Sequence, residues 1–226
     1  KTKYAFPGEA GFRGRVASIA STAAIHAPMD GTNWFKEFFD MIYYGWYSCS
    51  TPSLSNTGTV PLRGLNVSCS GQDIDDSVNG FYTSLHEAAM LSKMGFGTSA
   101  YLGDIRCRGT KISTGGTAQG VLPVLQDFVT MASKVSQGGT RRGSWAGYLP
   151  VMHGDFQEVY DFIKDQPDEV NVGWCWYDEY TDLMNAGDKE MIRRYKAIMK
   201  LRAIQGKGYI FCVDKANRLS PQMYKD

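Results

Sequence analysis

Cys69 closes the run NVSC, directly after Ser68 and shortly after the Pro- and Gly-bearing stretch TPSLSNTGTVPLRG. A thiol delivered by a short strand beside a rigid loop is where a scaffold presents a reactive group to a ligand. The other four cysteines, Cys49, Cys107, Cys175 and Cys212, are scattered and read as small buried hydrophobes. An odd count without a CxxC pair matches neither a disulfide scaffold nor a zinc or thioredoxin pattern.

Two glycine-bearing loops add guanidinium groups. QGGTRRG, residues 137–143, is suited to wrapping a phosphate or an anionic ring edge, and it is equally a solvated basic turn. GDIRCRGTKISTGG, residues 103–116, carries Arg106, Arg108 and Lys111 and has the same two readings. Two such loops after strands of one sheet favour a shared anion or nucleotide site. GFGTSA, residues 95–100, fits a dinucleotide fingerprint in letters only, because here a helix precedes it and a strand follows. Its glycines read instead as a place of close approach. No GxxxxGK[ST] loop is present, which counts against a Walker-type hydrolase. His26, His86 and His153 lack a second ligand at helical spacing, so no metal site is expected.

These groups need a frame. Thr32 or Asn33 caps a segment, Trp34 to Tyr47, expected to be a helix buried on several sides, while residues 1–31 show no sustained period. Residues 50–64 are expected to form a shaped loop and Leu65 to Ser68 a short strand ending at Cys69. Ser77 caps a helix that Gly95 ends, and further helices are expected over 119–135, from Asp155 to Ile163, and over 189–204. Strands are expected at 99–102, 145–151, 170–176 and 209–213. Short strands alternating with longer helices imply βαβ units and a mainly parallel sheet or barrel.

Composition bounds the function. The 226 residues are 43% hydrophobic and 21% charged with a net charge of +1, enough apolar material for a sizeable core. Near-neutrality removes the counterion-release drive of strong nucleic-acid binders, so no nucleic-acid partner is expected. No apolar run is long enough for a membrane span and the basic start lacks a signal-peptide core, which makes a cytoplasmic protein the expectation.

Taken in order, TPSLSNTGT, NVSCSG, DDS, LSKMGFGTSAYLGDIRCRG, SQGGTRRGSWAGYLPVMHGDF and GYIFCVDKANRLSPQMYKD resemble the catalytic large subunit of ribonucleotide reductase from about residue 48 onward. The resemblance implies the first half of a ten-stranded α/β barrel over residues 48–226, preceded by a helical segment over 1–47. It implies that Cys69 belongs to a redox-active pair whose partner lies outside this chain. One thiol would protonate the leaving 2′-hydroxyl of a ribonucleotide, and the pair would then supply two electrons and end as a disulfide. Sulfur suits this, being a weak acid and, when paired, a reductant that partner dithiols restore.

By the same resemblance Thr51, Ser68, Cys69 and Gly97 hold substrate. Asp76, Ser77, Arg106 and Ser113 would hold a nucleoside triphosphate effector, Ser113 standing where many relatives carry an arginine. Gln137 with Arg141 or Arg142 would relay effector identity to substrate choice.

The family's Asn-x-Cys-x-Glu finger-loop motif, its second redox cysteine and its radical-path tyrosines are absent from these residues. The expectation is a split or truncated reductase, inactive alone and active with a complementary C-terminal chain, in a homo-oligomer of the assembled subunit. A metal-bearing radical small subunit is implied, with an adenosylcobalamin-dependent enzyme as the alternative, and thioredoxin or glutaredoxin as reductant. The rival class is a nucleotide-binding or scaffolding module without catalysis.

Overall fold

The computed structural model describes residues 4–60, 64–135 and 144–221. It divides into two compact units, Lys1–Ser70 with Met90–Gly97 and Val135–Gly143, and Gly71–Ala89 with Thr98–Lys134 and Ser144–Asp226.

In the first unit, helices α1 (Gly11–Ile25) and α2 (Trp34–Tyr43) precede a short α3 (Thr51–Asn56). Asn33 caps α2 by accepting from the Lys36 amide at 3.2 Å. The helix α1 falls where the sequence shows no periodicity, and α2 ends at Tyr43 with none of its residues buried, against the expectation of burial on several sides. Its aromatics instead stack along one another, Phe39 on Tyr43 at 5.2 Å, with Arg13 over both rings.

The expected loop at 50–64 is also corrected, since α3 occupies its first part. Pro52 sits in the first turn of α3, where a missing N–H costs no helical bond. Arg15, fully buried on α1, donates to the carbonyl of Thr57 just past α3 and pairs with Glu9 at 2.5 Å. Burial raises the Glu9 pKa, but the Phe6 amide, the Ser18 hydroxyl and Arg15 outweigh it and hold the carboxyl below its ordinary range.

Among the described residues the sheet has five strands in the order β1 (Cys69–Gln72), β2 (Gly97–Tyr101), β3 (Trp145–Pro150), β4 (Asn171–Trp176) and β5 (Tyr209–Cys212). The pairs from β2 through β5 are parallel. The expected strand at Leu65–Ser68 is therefore displaced: pairing begins at Cys69, which stands at the entry of β1 rather than after its end.

In the second unit the alternation of β3 and β4 sorts their side chains onto two faces. Trp145, Leu149, Val172 and Trp174 are buried. Phe128 of α5 (Val121–Lys134) stacks on Trp145 at 4.8 Å, and Phe156 of α6 (Phe156–Asp165) meets Trp174 at 4.7 Å. On the other face Tyr148 packs edge-on against Tyr209 and Phe211, and Gly173 makes room for them, since a Cβ there would lie 2.7 Å from Tyr148.

The helix α4 (Val78–Lys93) starts where the Ser77 hydroxyl accepts from the Gly80 amide at 2.9 Å, as expected, and Gly95 at φ +102° follows its end. The helix α8 (Lys189–Gln205) is capped by Asp188 and closed by left-handed Gly206. Helices α7 (Asp178–Asn185) and α9 (Val213–Leu219) were not expected from the sequence. Among the described residues no helix is long and apolar enough to cross a membrane.

Candidate functional site

Thr51, Ser68, Cys69 and Gly97 all belong to the first unit. The turn that ends α4 throws the chain back so that the Gly97 amide donates to the Ser68 carbonyl at 2.7 Å. That bond sets the glycine-bearing entry of β2 against the residue preceding the thiol. Cys69 itself is exposed, Ser68 and Gly97 are half-buried, and Thr51 opens α3 half-buried. An exposed sulfur beside a glycine turn can meet a ligand lying along the backbone. GFGTSA follows a helix and enters a strand, as expected, so it is not built to cradle a dinucleotide pyrophosphate.

The cysteine expectations need correction. Cys175 is buried, and burial pushes its thiol to about 11, but Cys212 is exposed and Cys49 and Cys107 are half-buried. Among the described residues Cys212 ends β5, the outer strand of the sheet, which has a neighbour on one side only.

Asp76, Ser77 and Arg106 meet in the second unit on one cavity of about 580 Å³. Its walls include Phe81, Ile105, Ile112 and Val124. Arg106 pairs with Asp76 through Nε and donates to the Asp76 carbonyl at 3.3 Å. A carboxylate, a hydroxyl and a guanidinium over an apolar floor suit a ligand with sugar hydroxyls, phosphates and a flat ring. Ser113 is exposed on the loop closed by the Lys111–Thr117 bridge and is not among the residues lining this cavity. Gln137, Arg141 and Arg142 lie outside the described residues.

One cluster was missed by sequence reasoning. Cys107, His153 and Asp155 bring their ligand atoms within 4.8 Å of one another, with Cys107 Sγ 3.7 Å from His153 Nε2. Their remaining bonds decide what they do. His153 Nε2 donates to the Ile105 carbonyl at 2.9 Å and Nδ1 accepts from the Asp155 amide at 3.1 Å, which uses both ring nitrogens. The Asp155 carboxylate accepts from the amides of Arg108 and Val121, each at 2.9 Å. A metal would need a ring nitrogen that is already committed, so the set does not fit one. The cluster instead staples the loop bearing Arg106 to the turn after β3 and to the start of α5. Asp155, where the helix was expected to open, stands at the N-cap of α6 but makes no side-chain cap bond there.

The family pattern described as ribonucleotide reductase, barrel domain, matches residues 67–194, and that described as ribonucleotide reductase, all-alpha domain, matches residues 2–61. The chain belongs to the ribonucleotide reductase family. It is 29% identical to the ribonucleoside-diphosphate reductase large subunit of Monkeypox virus over 82% of this chain and 30% of that protein. It is 30% identical to the vitamin B12-dependent ribonucleoside-diphosphate reductase of Mycobacterium tuberculosis over 67% of this chain and 22% of that one. Among solved structures, the Actinobacillus ureae class Id ribonucleotide reductase alpha subunit superposes with a TM-score of 0.84 at 31% identity. That match covers 99% of this chain and 41% of the solved one. The chain thus spans less than half the length of these reductases, and its five parallel-wound strands correspond to the expected first half of the barrel.

Proposed function

We propose that this chain is the N-terminal catalytic portion of a ribonucleoside-diphosphate reductase, with the helical segment 1–47 leading into the half barrel 48–226. The observation that carries this reading is the exposed Cys69 thiol held beside the Gly97 turn by the Ser68–Gly97 bond.

In this reading Thr51 and Ser68 bind the diphosphate and ribose of the substrate, and Gly97 lets the nucleotide lie against the backbone. The Cys69 pair protonates the leaving 2′-hydroxyl and gives up two electrons, becoming a disulfide that thioredoxin or glutaredoxin reduces by exchange. The second thiol, the radical cysteine and its acid-base glutamate come from a complementary C-terminal portion of the barrel. A metal-bearing small subunit supplies the radical equivalent that starts the reaction. The B12-dependent relative supports adenosylcobalamin as the alternative source. A nucleoside triphosphate effector binds at Asp76, Ser77 and Arg106, with Ser113 in the adjoining loop. Gln137, Arg141 and Arg142 pass its identity to the substrate site in a homo-oligomer working in the cytoplasm.

A second reading, a nucleotide-binding module without its own catalysis, is favoured by one observation: the Asp76–Arg106 cavity lies wholly in the unit that lacks Cys69. Cys69→Ser in the complete reductase separates the two. The catalytic reading expects turnover to fall to background while triphosphate binding is retained; turnover at the parent level would overturn it.

A further inference from the structure

We infer that Asn56 is a positioning residue that fixes the distance between the diphosphate-binding end of α3 and the Cys69 thiol; this rests on the reductase reading. Asn56 is the last residue of α3 and is only 8% exposed. Its amide Nδ2 donates to the Leu65 carbonyl at 2.8 Å, on the segment that runs into Ser68 and Cys69.

Gly64, beside that carbonyl, has no room for a side chain: a Cβ would lie 2.8 Å from the Met94 carbonyl and 3.0 Å from Asn56 Nδ2. Met94 leads into Gly95, Phe96 and Gly97, and Gly97 returns to Ser68. The three segments carrying Thr51, Cys69 and Gly97 therefore converge on one buried amide and one glycine.

The same end of α3 is also fixed to α1. The buried Arg15 holds Thr57, and Gly58 at φ +69° passes so close to α1 that a Cβ would lie 2.5 Å from Thr22 Oγ1. With α3 anchored on α1, the Asn56–Leu65 bond is what transmits its position to the thiol segment. A misplacement of about an ångström between reacting groups can lower a rate by about a hundredfold. Asn56 touches neither substrate nor sulfur in this account; it sets their alignment.

The test is steady-state kinetics of the complete reductase carrying Asn56→Asp, which keeps the side chain's shape and replaces the donor with an acceptor, beside Asn56→Ser and Cys69→Ser. The expected result for Asn56→Asp is a fall in kcat of roughly ten- to a hundredfold with KM changed much less. Alkylation of Cys69 in the absence of nucleotide should keep its parent rate.

A merely structural role would lower the melting temperature and leave kcat at its parent value below the transition, and that outcome overturns the inference. Should Asn56→Asp fail to fold, the smaller, uncharged Asn56→Ser is read by the same kcat criterion. If Cys69→Ser turns over normally, the reductase reading itself fails. If Cys69→Ser is dead and both Asn56 variants keep parent kcat, only the Asn56 inference fails.

Discussion

The carboxylate of Asp155 accepts the backbone amides of Arg108 and Val121, each at 2.9 Å, and so ties the start of α5 to the loop that carries Arg106. Asp155 is buried and Val121 fully so, which shields the Val121 amide from any water that could replace the carboxylate, while Arg108 stands at the surface. Gly120 passes at φ +78° with Asp155 Oδ2 where its Cβ would be, so the turn is shaped around this acceptor. Asp155→Ala orphans two amides, one of them deeply buried, and is expected to destabilise the protein by about 2–4 kcal/mol. Denaturant unfolding measures this; a change below about 0.5 kcal/mol would mean that the amides have other partners.

That staple was illegible in the sequence for a physical reason. Cys107 and His153 are 46 positions apart, and most of the cluster's bonds go to main-chain groups that no side-chain spacing reveals. Asn56 was hidden similarly, because its partner is the carbonyl of Leu65.

Regular elements read differently. The apolar period that places Phe128 on Trp145, and the hydroxyl of Ser77 at the head of α4, act locally and could be seen in the letters. The helix α3 could not, because Pro52, Asn56 and Gly58 suggest a turn while the first helical turn tolerates proline. The strand entry at Cys69 was misplaced by a few residues because its limit is set by pairing rather than by local preference.

The thiols should react in an order set by exposure. Cys69 and Cys212 are exposed, whereas burial pushes Cys175 to about 11 and keeps it protonated at neutral pH. Iodoacetamide at about pH 8, read by peptide mass spectrometry, is expected to label Cys69 and Cys212 first and Cys175 only after unfolding. Early labelling of Cys175 would contradict the sheet packing described above.

Acid should weaken the anchoring of α8. Hydrogen bonds from Arg193 and Arg194 pull Glu190 down from an ordinary 4.5 to about 2. Arg194 also donates to the carbonyls of Val151 at 2.6 Å and His153 at 3.0 Å. A depressed carboxylate contributes stability that is present above its unfolded pKa and lost as pH falls through the folded value. The contribution should therefore disappear between pH 4.5 and about 2, modestly because the Glu190 carboxylate is well exposed. Melting temperatures across that window are expected to fall less steeply for Glu190→Gln than for the parent; equal slopes would exclude the pair as their cause.

In the proposed reaction Cys69 gives up electrons when a ribonucleotide is reduced. A single turnover of the complete reductase without thioredoxin or glutaredoxin, quenched in acid and alkylated, measures this directly. Cys69 is expected to be recovered in a disulfide in proportion to the deoxyribonucleotide formed. Deoxyribonucleotide formed with Cys69 still free to alkylate would contradict it.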